Sequence, residues 1–210
     1  MRKAGVLLHP TSFPSDYGIG DLGESAYRFI DFLKDAGQSL WQILPLGHTG
    51  FGDSPYQSAS AFAGNPLLIS PDILLKKKYI TEKDIKPARF EEHRVDYAEV
   101  IEYKYPLYRK AYAIFRKKSN KAFDDFCSEN SYWLDDYALF CALKDFFIEK
   151  RRNEFESAGL KKYAKSAGTL LSENTIRDCY YGASWNSFPE SFAGVIVQRL
   201  KNTKRSWQMR

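Results

Sequence analysis

Apolar and polar positions over the first forty-seven residues follow the rhythm of a parallel α/β fold. "AGVLLH", residues 4–9, is a short apolar run closed by Pro10. A run of this kind fits a strand buried on both faces. After an intervening loop, Leu22, Ala26, Phe29, Ile30 and Leu33 recur at helical spacing and predict one apolar face of a helix. Asp21 and Glu24 have the spacing of a capping box at its start, and Gly37 stands where a left-handed C-cap belongs. "LWQILPL", residues 40–46, reads as a second buried strand, stopped by Pro45 and Gly47. Strand, loop, helix and strand make a βαβ unit, so the strands are expected to be parallel.

Two loops follow the strands. Residues 9–23, "HPTSFPSDYGIGDLG", are stiff with Pro10, Pro14, Gly18, Gly20 and Gly23. Residues 47–66, "GHTGFGDSPYQSASAFAGNP", are long and rich in Gly and Ser, with aromatic rings at Phe51, Tyr56 and Phe62. Parallel α/β folds gather function at the C-terminal ends of their strands, and long loops there are seldom idle. From Pro71 the pattern changes. "KKKYITEKDIK" is charged, and residues 96–118 and 121–149 show helical periodicity. In the latter, Trp133, Leu139, Phe140, Leu143 and Phe147 are expected to form a core-facing stripe.

Composition adds limits. Apolar residues make up 44% of the 210, enough for a packed core, and no apolar run reaches the length of a membrane span. Met1 opens no secretory signal pattern, so a cytoplasmic protein is expected. Cys127, Cys141 and Cys179 are odd in number and lack C-x-x-C spacing, which fits reduced thiols. The net charge of +5 lies wholly in residues 191–210, and residues 1–190 sum to zero. A neutral body argues against a nucleic-acid partner.

No G-x-x-x-x-G-K-[ST], G-x-S-x-G or H-E-x-x-H pattern occurs. His9, His48 and His93 have no partner at ligand spacing, so no metal and no cofactor are expected. The pairs Asp124–Asp125 and Asp135–Asp136 diverge by about 100° on a helix and cannot share a site. His9 has two readings: a hydrogen-bonded core histidine, which is the commoner case, or a contact to substrate. Tyr56 also has two. Beside Asp53, Ser54 and Gln57 its ring could stack on a sugar face while its neighbours bind hydroxyls, or it could be tucked into the core.

Residues 4–70, with the uninterrupted stretches "LLHPTS", "WQILPLG" and "GDSPYQSASAFAGNP", resemble the N-terminus of the amylomaltase (4-alpha-glucanotransferase) family. The similarity continues through "RVDYAEVIEYKYPLYRKAY", "YWLDDYALFCALKDFF" and "GASWNSFPE", roughly residues 4–190, with a less similar stretch at 150–181. The resemblance implies an α/β fold, a (β/α)8 TIM barrel of the alpha-amylase type, incomplete here. Residues 1–70 would begin the barrel with its substrate-rim loops, and residues 71–190 would form an inserted, mainly helical subdomain. The implied reaction transfers alpha-1,4-glucan segments between maltooligosaccharides by a retaining two-carboxylate scheme. Tyr56 falls on the family's stacking tyrosine and Ser54 on a sugar-contacting serine. Asp53 and His9 complete the expected substrate-binding set. At Phe51 and Ile101, where some relatives hold tyrosines of an accessory glucan site, the first keeps a ring without a hydroxyl and the second has no ring. The family's catalytic aspartate, glutamate and second aspartate lie on later strands, and no motif here matches them. The chain alone is therefore expected to be inactive. The rival readings are a non-catalytic glucan-binding module and a non-functional truncated product.

The resemblance stops after "SWNSFPE", where the charge pattern also switches. Joining the third base of each codon from Ser191 with the first two of the next permits a helix-forming string of mixed charge, as the family continues. Residues 191–210 are expected to be read out of frame, after a one-base deletion near codon 191; the rival reading is a lineage-specific tail with an accidental second reading.

Overall fold

The computed structural model describes residues 2–49, 53–58 and 60–157, with side chains as far as residue 142. The chain divides into two compact units, Met1–Asn120 and Lys121–Arg210.

In the first unit, β1 (Gly5–Leu7) and β2 (Leu40–Gln42) pair in parallel, with Val6 opposite Trp41. Between them runs α1 (Glu24–Asp35). The βαβ order is as expected, but both strands are shorter than their apolar runs. His9 turns away to cap a 3-10 turn over Pro10–Ser12. Beyond β2, Ile43–Leu46 lie outside the ladder, and Leu44, Pro45 and Leu46 line a cleft. Nor are the strands buried on both faces. Leu7 and Leu40 are about half exposed, as is much of Ile43. Coverage comes from one side: Trp41 meets Phe13 and Phe29 at 5.8 and 5.4 Å, and Phe13 meets Phe29 at 5.3 Å. The Trp41 indole N–H donates to Leu8 O at 2.8 Å, fastening β2 to the end of β1.

Helix α1 ends as its sequence requires. Gly37 adopts φ +66°, its N–H reaches Lys34 O, and Gln38 N–H reaches Leu33 O, which is a Schellman closure. Its start departs from expectation. The cap position is Gly23, without a side-chain bond, and Asp21 instead accepts from Gly23 N–H through Oδ1. The other Asp21 oxygen faces a buried lysine, so the carboxylate is not available as a cap. Of the expected apolar face, Ala26 and Leu33 are buried and Phe29 is half-buried, whereas Leu22 and Ile30 are exposed.

Two further helices complete this unit: α2 (Pro71–Lys76) and α3 (Tyr97–Phe115). Helix α3 begins at Asp96, whose carboxylate accepts from Ala98 and Glu99 N–H. Its buried stripe is Val100, Ile101, Lys104, Leu107 and Ala111. This is regular helical periodicity with one cation in it. With Ile19, Leu67, Leu68 and Ile80 these residues form the core.

The second unit contains α4 (Lys121–Ser157). Phe140 is buried and Trp133 half-buried, but Leu139 is partly exposed and leaves the expected stripe. The side chains of Leu143 and Phe147 lie outside the described residues, as do Phe51, Cys179 and residues 158–210, which include the segment read as out of frame. Among the described residues no helix is long and apolar enough to cross a membrane, and no cluster of three or more His, Cys, Asp or Glu could hold a metal.

Candidate functional site: a cleft beyond the strand ends

The cleft lies past the C-terminal ends of β1 and β2. Its volume is about 170 Å³, and its walls come from three places: His9, Thr11 and Ser12; residues 44–47 with Thr49, Asp53, Pro55 and Asn65; and Tyr97 at the start of α3.

The first wall is fixed by His9. A backbone N–H can only donate, so His9 Nδ1 accepts from Thr11 N–H at 3.4 Å and from the Thr11 hydroxyl at 2.7 Å. Its Nε2 then carries the proton and faces Pro45 O at 3.4 Å, joining the two strand ends. His9 thus lines the cleft with both nitrogens engaged by protein.

The second wall is a loop closed at its base. Asn65 N–H donates to Leu46 O at 2.8 Å, and antiparallel bridges link Gly47 with Gly64 and Thr49 with Ser58. Much of the loop's serine content serves its own backbone. Ser58 Oγ donates to Ser60 O, and Ser60 Oγ accepts from Phe62 and Ala63 N–H. At its tip, Ser54 O accepts from Gln57 N–H at 3.1 Å, and Ser54 Oγ accepts from Tyr56 N–H at 3.4 Å. The Ser54 hydroxyl proton is not used in that contact. Tyr56 is 72% exposed. Its ring is not a core ring, and a flat aromatic face is offered to solvent beside the cleft-lining Pro55.

Asp53 lines the cleft with a left-handed backbone, φ 57°. Asp tolerates this region better than most side chains. Its charge, together with burial as the larger cause, raises the Tyr97 hydroxyl above its usual range. The geometry thus brings His9 and Asp53 into one cleft, with Ser54 and Tyr56 on the same loop at its edge. Thr11, Asn65 and Tyr97 also line it, and none stood out in the sequence. Thr11 and Asn65 follow from local turn chemistry. Tyr97 had no signal, because it opens a helix that reads as an excursion.

Behind the cleft is a second unforeseen feature. Lys104 is fully buried; its Nζ donates to Asp21 Oδ2 at 3.2 Å and Leu67 O at 2.9 Å, and approaches Ile69 O at 3.5 Å. It also lies 5.8 Å from the centre of the Tyr17 ring. Burial pushes its pKa down, and the Asp21 charge pushes the other way. Nearby, Tyr17 donates to Asp72 at 2.6 Å, and burial and that carboxylate raise its hydroxyl.

Residues 18–23, "GIGDLG", have the G-x-G-x-x-G spacing of a dinucleotide-binding turn. They do not act as one. Ten residues separate Gly18 from β1, Gly20 N–H is bonded to Thr11 O, and Gly23 N–H to Asp21. A Cβ on Gly20 would fall 2.2 Å from Pro10 O, so that glycine serves close packing of the loop on itself.

Ile101 is buried in the α3 stripe.

Comparison with known proteins bears on this arrangement. The 4-alpha-glucanotransferase family, glycoside hydrolase family 77, matches residues 8–188. The chain is 54% identical over 147 residues to the 4-alpha-glucanotransferase of Aquifex aeolicus (strain VF5), covering 69% of this chain and 30% of that protein. It is 41% identical over 195 residues to that of Streptococcus pneumoniae serotype 4, covering 88% and 39%. A solved amylomaltase from Streptococcus agalactiae, in complex with acarbose, superimposes with a TM-score of 0.66 at 35% identity, covering 93% of this chain and 42% of that one. The chain spans about a third of the length of the curated relatives it matches.

Proposed function

The chain belongs to the 4-alpha-glucanotransferase family, and from that premise we propose that it is the N-terminal part of an enzyme moving alpha-1,4-glucan segments between maltooligosaccharides in the cytoplasm. Residues 1–70 begin a (β/α)8 barrel of the alpha-amylase type, and residues 71–190 are its inserted helical subdomain. The cleft is one stretch of the glucan rim. Tyr56 stacks on a sugar ring, Ser54 donates its free hydroxyl proton to a sugar oxygen, and Asp53 accepts from sugar hydroxyls. His9 holds the two strand ends together and presents its edge to the sugar. Chemistry follows the retaining scheme, with a carboxylate nucleophile and an acid/base carboxylate about 5–5.5 Å apart. Neither carboxylate is in this chain. The observation that carries the reading is the exposed Tyr56 ring beside a cleft at the C-terminal ends of two parallel strands.

A second reading, a glucan-binding module without catalysis, is favoured by the walls of the cleft all coming from residues 9–97. One experiment separates the two. The purified chain is incubated with maltotriose, alone and with the remaining two-thirds of a relative supplied as a separate polypeptide. No glucose or longer oligomers from the chain alone, and transfer on complementation, is the expected outcome. Turnover by the chain alone overturns the absence of the carboxylates, and binding without complementation favours the module. We also propose that residues 191–210 are read out of frame; the family match stops at residue 188. Resequencing that finds an unambiguous in-frame stop after Arg210, with no barrel-coding sequence beyond in any frame, overturns it.

A further inference from the structure

We propose that Lys104 is a positioning residue whose buried ammonium ties the two loops that wall the cleft to each other and to α3, and so sets the width of the cleft. The inference rests on the cleft being the glucan rim. A lysine in the apolar stripe of a helix needs an explanation, because a hydrophobic residue of similar volume usually serves stability as well or better. The three protons of its ammonium meet three oxygens drawn from two segments distant in sequence: Asp21 Oδ2, Leu67 O and Ile69 O.

Two of these contacts, at Asp21 and Leu67, lie a step or two from a cleft wall. On one side, Gly20, next to Asp21, donates its N–H to the carbonyl of Thr11, and Thr11 lines the cleft and bonds His9. On the other, Leu67 N–H donates to the side chain of Asn65, and Asn65 lines the cleft and bonds Leu46 O. One direct bond also joins the loops, from Leu22 N–H to Leu68 O at 3.0 Å. Lys104 therefore adds a second, side-chain link beside that backbone bond and extends it to α3. An apolar side chain would fill the same space and leave the Leu22–Leu68 bond to hold the loops without it.

The test is a double variant, Lys104→Met with Asp21→Asn, which removes both charges so that neither is left buried alone. Thermal midpoint, amide hydrogen exchange and maltotriose binding are measured on the full chain. Exchange at Gly20, Leu22 and Asn65 is expected to accelerate about ten-fold or more relative to amides within α1, whatever the midpoint does. Maltotriose binding is expected to weaken alongside. Unchanged exchange at these amides, or equal acceleration everywhere including α1, overturns the proposal. If the wild-type chain binds no maltotriose, the glucan reading fails, and the exchange data still decide the role of Lys104. If the double variant does not fold, the wild type decides. Its Gly20, Leu22 and Asn65 amides and the Lys104 ammonium should open in one event at a common rate, and opening rates more than about ten-fold apart overturn the linkage.

Discussion

Tyr56 and Lys104 stand at opposite extremes of burial, and their substitution should have opposite signatures. Tyr56 is 72% exposed, so Tyr56→Ala should change stability by no more than about 0.5 kcal/mol. On the reading proposed above, in a full-length protein carrying this segment it removes a stacking face of roughly 0.5–1.5 kcal/mol, a loss of about two- to thirteen-fold in kcat/KM for maltooligosaccharides. Unchanged kcat/KM with a lowered thermal midpoint would make Tyr56 a packing residue instead. Lys104→Met leaves Asp21, itself almost fully buried, without its cation. Breaking a buried pair in this way costs about 3–5 kcal/mol, read by urea denaturation; adding Asp21→Asn should recover part of it. The contrast explains what was legible. Tyr56 was visible as an aromatic in a loop of polar neighbours at a strand end, a local pattern. Lys104 was not, because its spacing with Val100, Leu107 and Ala111 is that of any helix face, and its oxygen partners come from loops whose path the sequence does not specify.

At the scale of elements, legibility followed how local each cause is. The Schellman closure of α1 was readable from Gly37 alone. Adding a Cβ there meets no neighbouring atom, so Gly37→Ala should cost only the left-handed backbone penalty, about 1–2 kcal/mol by urea denaturation. Gly20→Ala should cost more, because its Cβ would fall on Pro10 O. The start of α1 was misread since Asp21 has the right spacing for a cap but is claimed by a long-range partner. The 3-10 turn Glu82–Asp84 adds a pH-dependent link. Asp84 accepts from Thr81 N–H, the Thr81 hydroxyl and Lys110 on α3, and these, with the lysine bond first, lower its pKa from 3.8 to about 2. A depressed carboxylate stabilises the fold above its unfolded pKa, and the effect fades as pH falls through the folded value. Asp84→Asn should therefore lower the thermal midpoint at neutral pH, with the gap from wild type closing between about pH 4 and pH 2. A gap constant across that range would remove Asp84 from the account.

At the scale of the whole molecule, the described residues contain two strands, and that has a consequence. The apolar runs at residues 4–9 and 40–46 read as strands buried on both faces because that is what parallel strands ordinarily are. Their composition suits such burial, yet among the described residues only one side is covered. Leu7, Leu40 and Ile43 remain exposed on or beside the sheet, and Tyr27, Ile30 and Phe32 on α1. Among the described residues the two three-residue strands pair only with each other, and an outer strand edge carries N–H and C=O groups that another strand can take up. Exposed apolar area of this kind is a site of association. The isolated chain should therefore bind 1-anilinonaphthalene-8-sulfonate strongly and self-associate in a concentration-dependent way by light scattering. Leu7→Lys with Leu40→Lys should suppress both without loss of the Trp41–Leu8 indole bond, which holds the two strand ends from the covered side. The effect has a definite sign. These leucines already face solvent, so adding charge there removes sticky surface and leaves the core of Phe13, Phe29 and Trp41 intact. A chain that stays monomeric and dye-free at all concentrations would overturn this account of the exposed leucines.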